Sequence, residues 1–134
     1  MNNLYILPLM IFCHIIDDYK IQAGVLAFLK QKSYWKDNLP KECETKNLDE
    51  TIYKHDYIMA LFMHAFSWSF MIHVPIMLIS SRPICVIVSI CVNMSIHAIV
   101  DDLKANKLKI NLVADQLIHI TQILIVFVIF IIIG

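Results

Sequence analysis

Three pairs of histidine and aspartate stand four residues apart in the sequence. They are His14 with Asp18, His97 with Asp101, and Asp115 with His119. On a helix, a spacing of four places both side chains on one face, close enough to coordinate the same ion. Imidazole nitrogens and carboxylate oxygens suit Zn²⁺, Mn²⁺ or Fe²⁺, and no C-x-x-C pair offers a thiolate site instead. The pairs therefore predict a centre for one or two divalent metal ions.

The chain that carries these pairs is too apolar for an ordinary soluble domain. Of its 134 residues, 59% are hydrophobic and 16% are charged, against about 45–50% and about 25% in soluble domains. Eleven basic and eleven acidic residues give a formal net charge of zero, which excludes a basic nucleic-acid-binding protein. The abundance of Ile, Leu, Phe and Met excludes a disordered chain. The composition predicts an integral membrane protein.

Four apolar stretches are candidates for crossing the bilayer, since a span needs about 20 apolar residues. They cover residues 3–19, 57–80, 84–100 and 112–133. The first is the shortest and ends in Asp17 and Asp18, so it crosses only if these carboxylates lie near an interface or inside a bundle. We expect an all-α integral membrane bundle of four transmembrane helices, with residues 1–134 forming a single domain.

Two further segments lie between the first and second spans. Apolar residues recur at helical spacing directly after the first span, with lysine and glutamine on the other side; they are Ile21, Val25, Phe28 and Leu29. This pattern predicts a short amphipathic helix along the membrane surface. Residues 31–55 carry Trp35, Pro40 and many charges, which indicates a loop outside the membrane.

Lysine is concentrated in two of the three connections between spans. The first connection and its flanks hold six lysines and the third holds three, whereas the only basic residue of the second is Arg82. Basic residues mark cytoplasmic loops. We therefore expect the first and third connections in the cytoplasm, both termini outside, and the protein in the inner (cytoplasmic) membrane.

This orientation arranges the pairs in two layers. The first and third spans run inward and read His before Asp, whereas the fourth runs outward and reads Asp before His. Every Asp then lies toward the cytoplasm and every His lies one turn deeper. His64, two turns into the second span, reaches about the depth of His119. The predicted metal ligands are His14, Asp18, His64, His97, Asp101, Asp115 and His119.

The motifs around these residues resemble those of a family of small polytopic membrane proteins from bacteria and phages, filed as domain of unknown function 3307. Its signatures are His-x-x-x-Asp-aromatic-x-Leu-Gln, a His in the second span, His-x-x-x-Asp-x-x-Lys, and a late Asp-Gln-x-x-His. The matching residues are His14, Asp18, Tyr19, Ile21 and Gln22, then His64, then His97, Asp101 and Lys104, and finally Asp115, Gln116 and His119. The resemblance covers nearly the whole chain outside residues 31–55 and implies the site but no established activity.

Two extra aspartates depart from the family pattern. Asp17 and Asp102 stand where the family more often has a small or aromatic residue, and they leave open which member of each adjacent pair faces the site. Ile21 replaces the usual Leu. A looser resemblance exists to bacterial membrane-bound metal-dependent hydrolases, which also place His-x-x-x-Asp motifs in short spans. That analogy favours hydrolysis.

Three functions are compatible with these residues. The first is metal-dependent hydrolysis of a phosphorylated or amphiphilic substrate at the cytoplasmic headgroups, where the metal would activate a water. The candidates for binding that substrate are Lys20, Gln22, Lys104 and Gln116. The second is a carrier for protons, ions or a small solute, which needs polar groups through the outer half of the bundle, where the sequence shows few. The third is a non-enzymatic phage or bacterial accessory protein whose metal ties short helices together.

The expected partners follow from the membrane assignment. We expect contact with membrane lipid and no binding of nucleic acid. A narrow four-helix bundle often self-associates, so a homo-oligomer is compatible with the sequence, although no stripe of residues encodes its interface.

Overall fold

The computed structural model describes residues 3–21, 24–46 and 50–133. Every regular element in these ranges is helical. The predicted all-α class is therefore confirmed for the part of the chain that is described. Gln22, one of the predicted substrate-binding residues, lies outside the described residues.

Six α-helices follow one another within the described ranges. They are α1 (Ile6–Ile16), α2 (Val25–Leu29), α3 (Lys32–Lys46), α4 (Asp56–Met77), α5 (Pro83–Ala105) and α6 (Leu112–Phe127). Short helical turns of other types extend three of them. A 3₁₀ turn at Asn3–Tyr5 precedes α1, a π-helical turn at Asp17–Ile21 follows it, a 3₁₀ turn at Glu50–Tyr53 leads toward α4, and a π-helical turn at Val128–Ile133 follows α6.

Local sequence explains where the last two helices begin. Pro83 is the first residue of α5, where its missing N–H costs no hydrogen bond and its fixed φ suits the helix. Asn111 caps α6, because its side-chain Oδ1 accepts a 2.9 Å hydrogen bond from the backbone N–H of Ala114. Such a cap satisfies one of the donors that the first helical turn leaves without a partner.

Three helical stretches are long and apolar enough to cross a membrane. They are Thr51–Met77, Pro83–Ala105 and Leu112–Ile131, and they agree with the second, third and fourth spans predicted from the sequence. This indicates a membrane protein. The first predicted span, residues 3–19, folds as the eleven-residue helix α1 with helical turns on both sides, so its role as a fourth span stays a prediction.

The connection between the first and second predicted spans is more helical than the sequence suggests. A loop is expected over residues 31–55, but α3 occupies a large part of it. Its charged and polar residues form no apolar stripe of helical period, which is the signal that reveals a helix in a sequence. The expected amphipathic helix corresponds in part to α2, which is only five residues long. Gly24 starts it with φ at +122°, a conformation that favours glycine.

Four helices form a ring that encloses the core. α4 packs against both α1 and α5, and α6 packs against the same two helices, while the short α2 lies on α4. The main apolar core contains Met10 from α1, Trp68 and Ile72 from α4, Ile90 from α5 and Ile123 from α6. The same four helices also carry buried histidines and aspartates.

Candidate metal centre

The four helices of the ring supply the seven predicted ligands to one buried cluster. α1 and the turn after it carry His14 and Asp18, α4 carries His64, α5 carries His97 and Asp101, and α6 carries Asp115 and His119. Six of the seven are at most 4% exposed. The side chain of Asp18 is 13% exposed. We call this group of seven the His/Asp cluster.

Asp101 lies where three helices meet. Its Oδ2 atom is 2.8 Å from Nε2 of His64 on α4. Its Oδ1 atom is 3.8 Å from Nε2 of His97, one turn earlier on α5, and 3.8 Å from Nε2 of His119 on α6. One carboxylate therefore faces imidazoles from three directions, which is a donor arrangement suited to a divalent cation.

Two sets of three side chains within the described residues are close enough to hold a metal ion. One set is His97, Asp101 and His119, all buried, and the other is Asp18, His64 and His97. The donor atoms of each set lie within 4.8 Å of one another. Since His97 belongs to both, the five residues form one connected donor set, and the buried His/Asp groups could hold an ion.

His97 is the member whose surroundings point most directly to a ligand. Its ring is fully buried, and neither Nδ1 nor Nε2 makes a hydrogen bond within the part of the chain that is described. The ring stacks on Trp68, with 4.3 Å between centroids, and on His119, with 4.2 Å. A buried polar atom without a partner costs about 1–3 kcal/mol. A cation bound to His97 would remove that cost.

His14 differs from His97 because both of its nitrogens are engaged. Trp68 Nε1 donates a 2.7 Å hydrogen bond to His14 Nδ1, and His14 Nε2 lies 3.1 Å from Oε1 of Gln116. An indole N–H can only donate, so Nδ1 is the acceptor and Nε2 carries the proton that it donates to Gln116. His14 is therefore held as a neutral imidazole beside the two donor sets and belongs to neither of them.

Asp115 also lies beside the donor sets. Its Oδ1 atom is 3.3 Å from Nε2 of His119, and its Oδ2 atom accepts a 2.6 Å hydrogen bond from Nζ of Lys104. Gln116 donates to the same Oδ2 atom at 3.2 Å and to Asp18 at 3.5 Å. Two of the residues predicted to bind a substrate, Lys104 and Gln116, therefore contact the cluster, whereas Lys20 is exposed and not part of it.

The structure separates the members of both adjacent aspartate pairs. Asp17 is fully buried and accepts a 2.7 Å hydrogen bond from Ser67 Oγ, while Asp18 belongs to one of the donor sets. Asp101 faces the cluster, and Asp102 pairs with Lys107 at 2.8 Å on the more exposed side of α5. Within the described residues, Asp18 and Asp101 therefore belong to the donor sets, whereas Asp17 and Asp102 do not.

Lys30 is a member of the site that sequence reasoning missed. Its position in an amphipathic pattern predicts a side chain directed toward water, but the side chain is only 15% exposed. Nζ donates to Asp101 Oδ2 at 2.6 Å and lies 2.9 Å from His64 Nε2. Lys104 forms the equivalent ion pair with Asp115. Two ammonium groups therefore balance two carboxylates of the cluster. No spacing in the sequence indicates that Lys30 is one of them.

A chain of buried and half-buried polar side chains leads away from the cluster. His119 Nδ1 is 3.3 Å from Gln122 Oε1, and Gln122 Nε2 donates to Asn93 Oδ1 at 3.1 Å. Asn93 Nδ2 lies 3.4 Å from Ser89 Oγ, which is 2.8 Å from His73 Nε2. The sequence shows these residues as isolated interruptions of apolar spans, but the fold joins them into one hydrogen-bonded path between α4, α5 and α6.

The class of this site is defined by its side chains. It is a buried set of imidazole and carboxylate donors inside a helical bundle with membrane-spanning character. No protein-family model, curated protein or solved structure matches this chain. The likeness of its motifs to domain of unknown function 3307 stays a prediction.

Proposed function

We propose that this chain is an inner-membrane protein that binds a divalent metal ion between α4, α5 and α6. The observation that carries the proposal is the ring of His97, which is fully buried with both nitrogens lacking hydrogen bonds among the described residues. Asp101 and His119 supply further donors beside it. Zn²⁺, Mn²⁺ and Fe²⁺ are the candidates, because they accept mixed nitrogen and oxygen ligands.

The charges of the site are compatible with one bound ion. Asp18, Asp101 and Asp115 bring three negative charges, and the lysines paired with the last two bring two positive ones. With neutral imidazoles, one negative charge remains in surroundings where an unbalanced charge is costly. A divalent ion would change this to one positive charge, which an anionic ligand such as phosphate would neutralise.

Elemental analysis of the purified protein tests the metal. We expect about one bound divalent ion per chain in the wild type, and loss of that ion in His97→Gln. His73→Gln is the matched control, because His73 is also a fully buried histidine of the bundle but is hydrogen-bonded to Ser69 and Ser89. Equal metal content in His97→Gln and the wild type would overturn the proposal.

For the topology, we propose that α1 is a fourth span, that α2 lies along the cytoplasmic surface, and that both termini are outside. α1 is part of the ring of helices, and its end reaches the same cluster as the three longer helices. The excess of lysine in the first and third connections supports this orientation. Reporter fusions test it: we expect a fusion within α3 to behave as cytoplasmic, and one at residue 81 to behave as external. The opposite result would reverse the orientation.

For the activity, we propose metal-dependent hydrolysis of a phosphorylated amphiphile at the depth of the cytoplasmic headgroups. Two ammonium groups border the donor sets, and they are more exposed than most of the ligands: 15% for Lys30 and 33% for Lys104. A phosphate that approaches from this side would meet a positive charge beside the metal, and the metal would supply an activated water. Release of phosphate from a panel of phosphorylated lipids tests this. Turnover by the wild type that disappears in His97→Gln and persists in His73→Gln is expected; turnover retained in His97→Gln would refute it.

A specific observation favours a second candidate, a carrier for protons or metal ions. Its requirement is a set of polar groups that continues beyond the cluster, and the path from His119 to His73 meets it. His73 lies nine positions after His64 on α4, which corresponds to about 13.5 Å along the helix axis. Flux into proteoliposomes that stops in Gln122→Leu, while bound metal is retained, would support the carrier. Absence of flux in the wild type would exclude it.

The third candidate is a non-enzymatic phage or bacterial accessory protein in which the metal ties the helices together. The near-complete burial of six cluster residues favours it, since a buried ion adds binding free energy to a small bundle. It predicts that removing the metal with a chelator lowers the midpoint of thermal unfolding in detergent. An unchanged midpoint would argue against a structural metal.

A further inference from the structure

We propose that a groove at the start of α3 binds the headgroup of an anionic phospholipid. The groove has a volume of about 930 Å³, within the range of pockets that hold small molecules. Its walls come from residues 31–40, from residues 51–54 ahead of α4, and from residues 105–108 at the end of α5. We call it the lysine groove. The proposal rests on the proposed membrane topology but not on the metal centre.

The charge of the lysine groove selects an anion. Lys32, Lys36 and Lys54 line it, and none of its described lining residues is acidic. Ser33 and Tyr53 add hydroxyl groups to the same walls. Ammonium and hydroxyl donors are the groups that bind phosphate oxygens, and hydrogen bonds to a charged phosphate are about twice as strong as neutral ones. A phosphate diester fits this lining.

The apolar lining selects an amphiphile over a free phosphate. Trp35, Leu39, Pro40 and Leu108 contribute apolar surface beside the lysines, which a glycerol backbone and the first methylene groups of acyl chains would cover. The Trp35 ring is held in place, because its Nε1 atom donates a 2.7 Å hydrogen bond to the backbone oxygen of Leu29. A tryptophan beside lysines is typical of the headgroup layer of a membrane.

The two walls of the lysine groove are tied together by one side chain. Asn106 Nδ2 donates to the backbone oxygen of Lys30 at 3.2 Å, and Asn106 Oδ1 accepts from the backbone N–H of Lys32 at 2.7 Å. This pair of hydrogen bonds joins the end of α5 to the start of α3. The groove is therefore formed before a ligand arrives, which lowers the entropic cost of binding.

The position of the lysine groove agrees with the location of anionic lipids. Gln31 and Lys32 of its wall directly follow Lys30, whose ammonium contacts Asp101 of the cluster. In the proposed topology this is the cytoplasmic side, where the surface of the bilayer is negative. Each lysine near that surface contributes about 1 kcal/mol to the attraction, which is roughly a fivefold change in affinity. The proposed ligand is therefore an anionic phospholipid of the cytoplasmic leaflet.

Quenching by brominated lipids tests the proposal on the full chain in nanodiscs. The sequence has two tryptophans, and because Trp68 is fully buried, the quenched signal comes from Trp35; Trp35→Phe gives the background. We expect brominated phosphatidylglycerol to quench more than brominated phosphatidylcholine at equal mole fraction. Equal quenching by the two lipids would overturn the proposal.

The groove lysines supply the decisive variants. Lys32→Gln with Lys36→Gln should weaken the preference for phosphatidylglycerol roughly fivefold for each lysine removed. Lys107→Gln with Lys109→Gln makes the same change of charge on the α5–α6 connection and should leave the preference close to that of the wild type. If both double variants lost the preference for phosphatidylglycerol equally, the preference would come from general attraction to surface charge and not from the groove. That result would overturn the proposal.

Two further measurements separate this site from others. Millimolar inorganic phosphate should not displace the quenching lipid; displacement would identify a site for soluble phosphate and refute the lipid. The metal content of the groove variant should equal that of the wild type. Because the lipid readout does not depend on bound metal, a negative result for the lysine groove is distinguishable from a negative result for the metal centre.

Discussion

The indole of Trp68 lies nearly parallel to the imidazole of His97, with 4.3 Å between the ring centroids and 20° between the planes. The same indole donates its N–H to His14. One side chain of α4 therefore fixes a ring from α5 by stacking and a ring from α1 by a hydrogen bond. This makes Trp68 the residue that sets the relative positions of two histidines of the His/Asp cluster.

The two roles of Trp68 can be separated by substitution. Trp68→Ala should lower the free energy of unfolding by about 3–5 kcal/mol, because it leaves a large cavity in the core. Trp68→Phe keeps a ring against His97 and should cost less, with about 1 kcal/mol from the lost hydrogen bond to His14. Unfolding in mixed micelles of mild and denaturing detergent measures both. A Phe variant as unstable as the Ala variant would contradict a stacking role.

His14 and His97 should respond differently to the same substitution. Because both nitrogens of His14 are engaged by Trp68 and Gln116, His14→Gln should keep the bound metal and weaken its affinity by about 10–100-fold, as for residues that orient ligands. His97→Gln should lose the metal altogether. Competition with a chelating dye measures both affinities. Loss of the metal in His14→Gln would show that His14 is itself a ligand, as the sequence predicts.

The helical class and three of the spans could be predicted from the sequence because they depend on composition over long stretches. It could also be predicted that histidines and aspartates from several helices lie close to one another. A spacing of four fixes the face of one helix, and the reversed order of Asp115 and His119 compensates for the reversed direction of their span. These inferences need no knowledge of how one helix packs on another.

The remaining features depend on packing between distant segments. Lys30 enters the cluster because Gly24 turns the chain and Asn106 holds the backbone beside α5, and neither effect leaves a periodic pattern. Gln122 and Asn93 are 29 residues apart, so only the fold can pair them. Asp17 and Asp18 are adjacent in the sequence, and the π-helical turn that contains them decides which one faces His64.

The neighbouring aspartates of α5 provide a matched pair for testing the metal. Asp101→Asn should abolish metal binding, because it removes the charge of the carboxylate that faces three imidazoles. Asp102→Asn makes the same chemical change one residue away, on the side that pairs with exposed Lys107, and should bind metal like the wild type. Elemental analysis of the two variants in parallel gives the answer. Equal metal content in both would exclude Asp101 as a ligand.

Lys30 and a metal ion should compete for the same atoms. Its ammonium contacts both Asp101 Oδ2, at 2.6 Å, and His64 Nε2, at 2.9 Å, and an ion that takes either atom as a ligand must displace it. Lys30→Met removes this competitor while keeping an apolar side chain of similar length. We expect the affinity for Zn²⁺ to rise by about tenfold or more, which corresponds to at least about 1.4 kcal/mol.

The stability of the metal-free Lys30→Met protein should change in the opposite direction. Without the ammonium, the buried carboxylate of Asp101 has lost its cation, and breaking such a pair costs about 3–5 kcal/mol. Added Zn²⁺ should therefore raise the unfolding midpoint of Lys30→Met more than that of the wild type. Lys107→Met is the control, since its ion pair with Asp102 is exposed and such pairs contribute about 0–1 kcal/mol. If Zn²⁺ shifted the midpoints of Lys30→Met and Lys107→Met equally, Lys30 would not occupy a metal position.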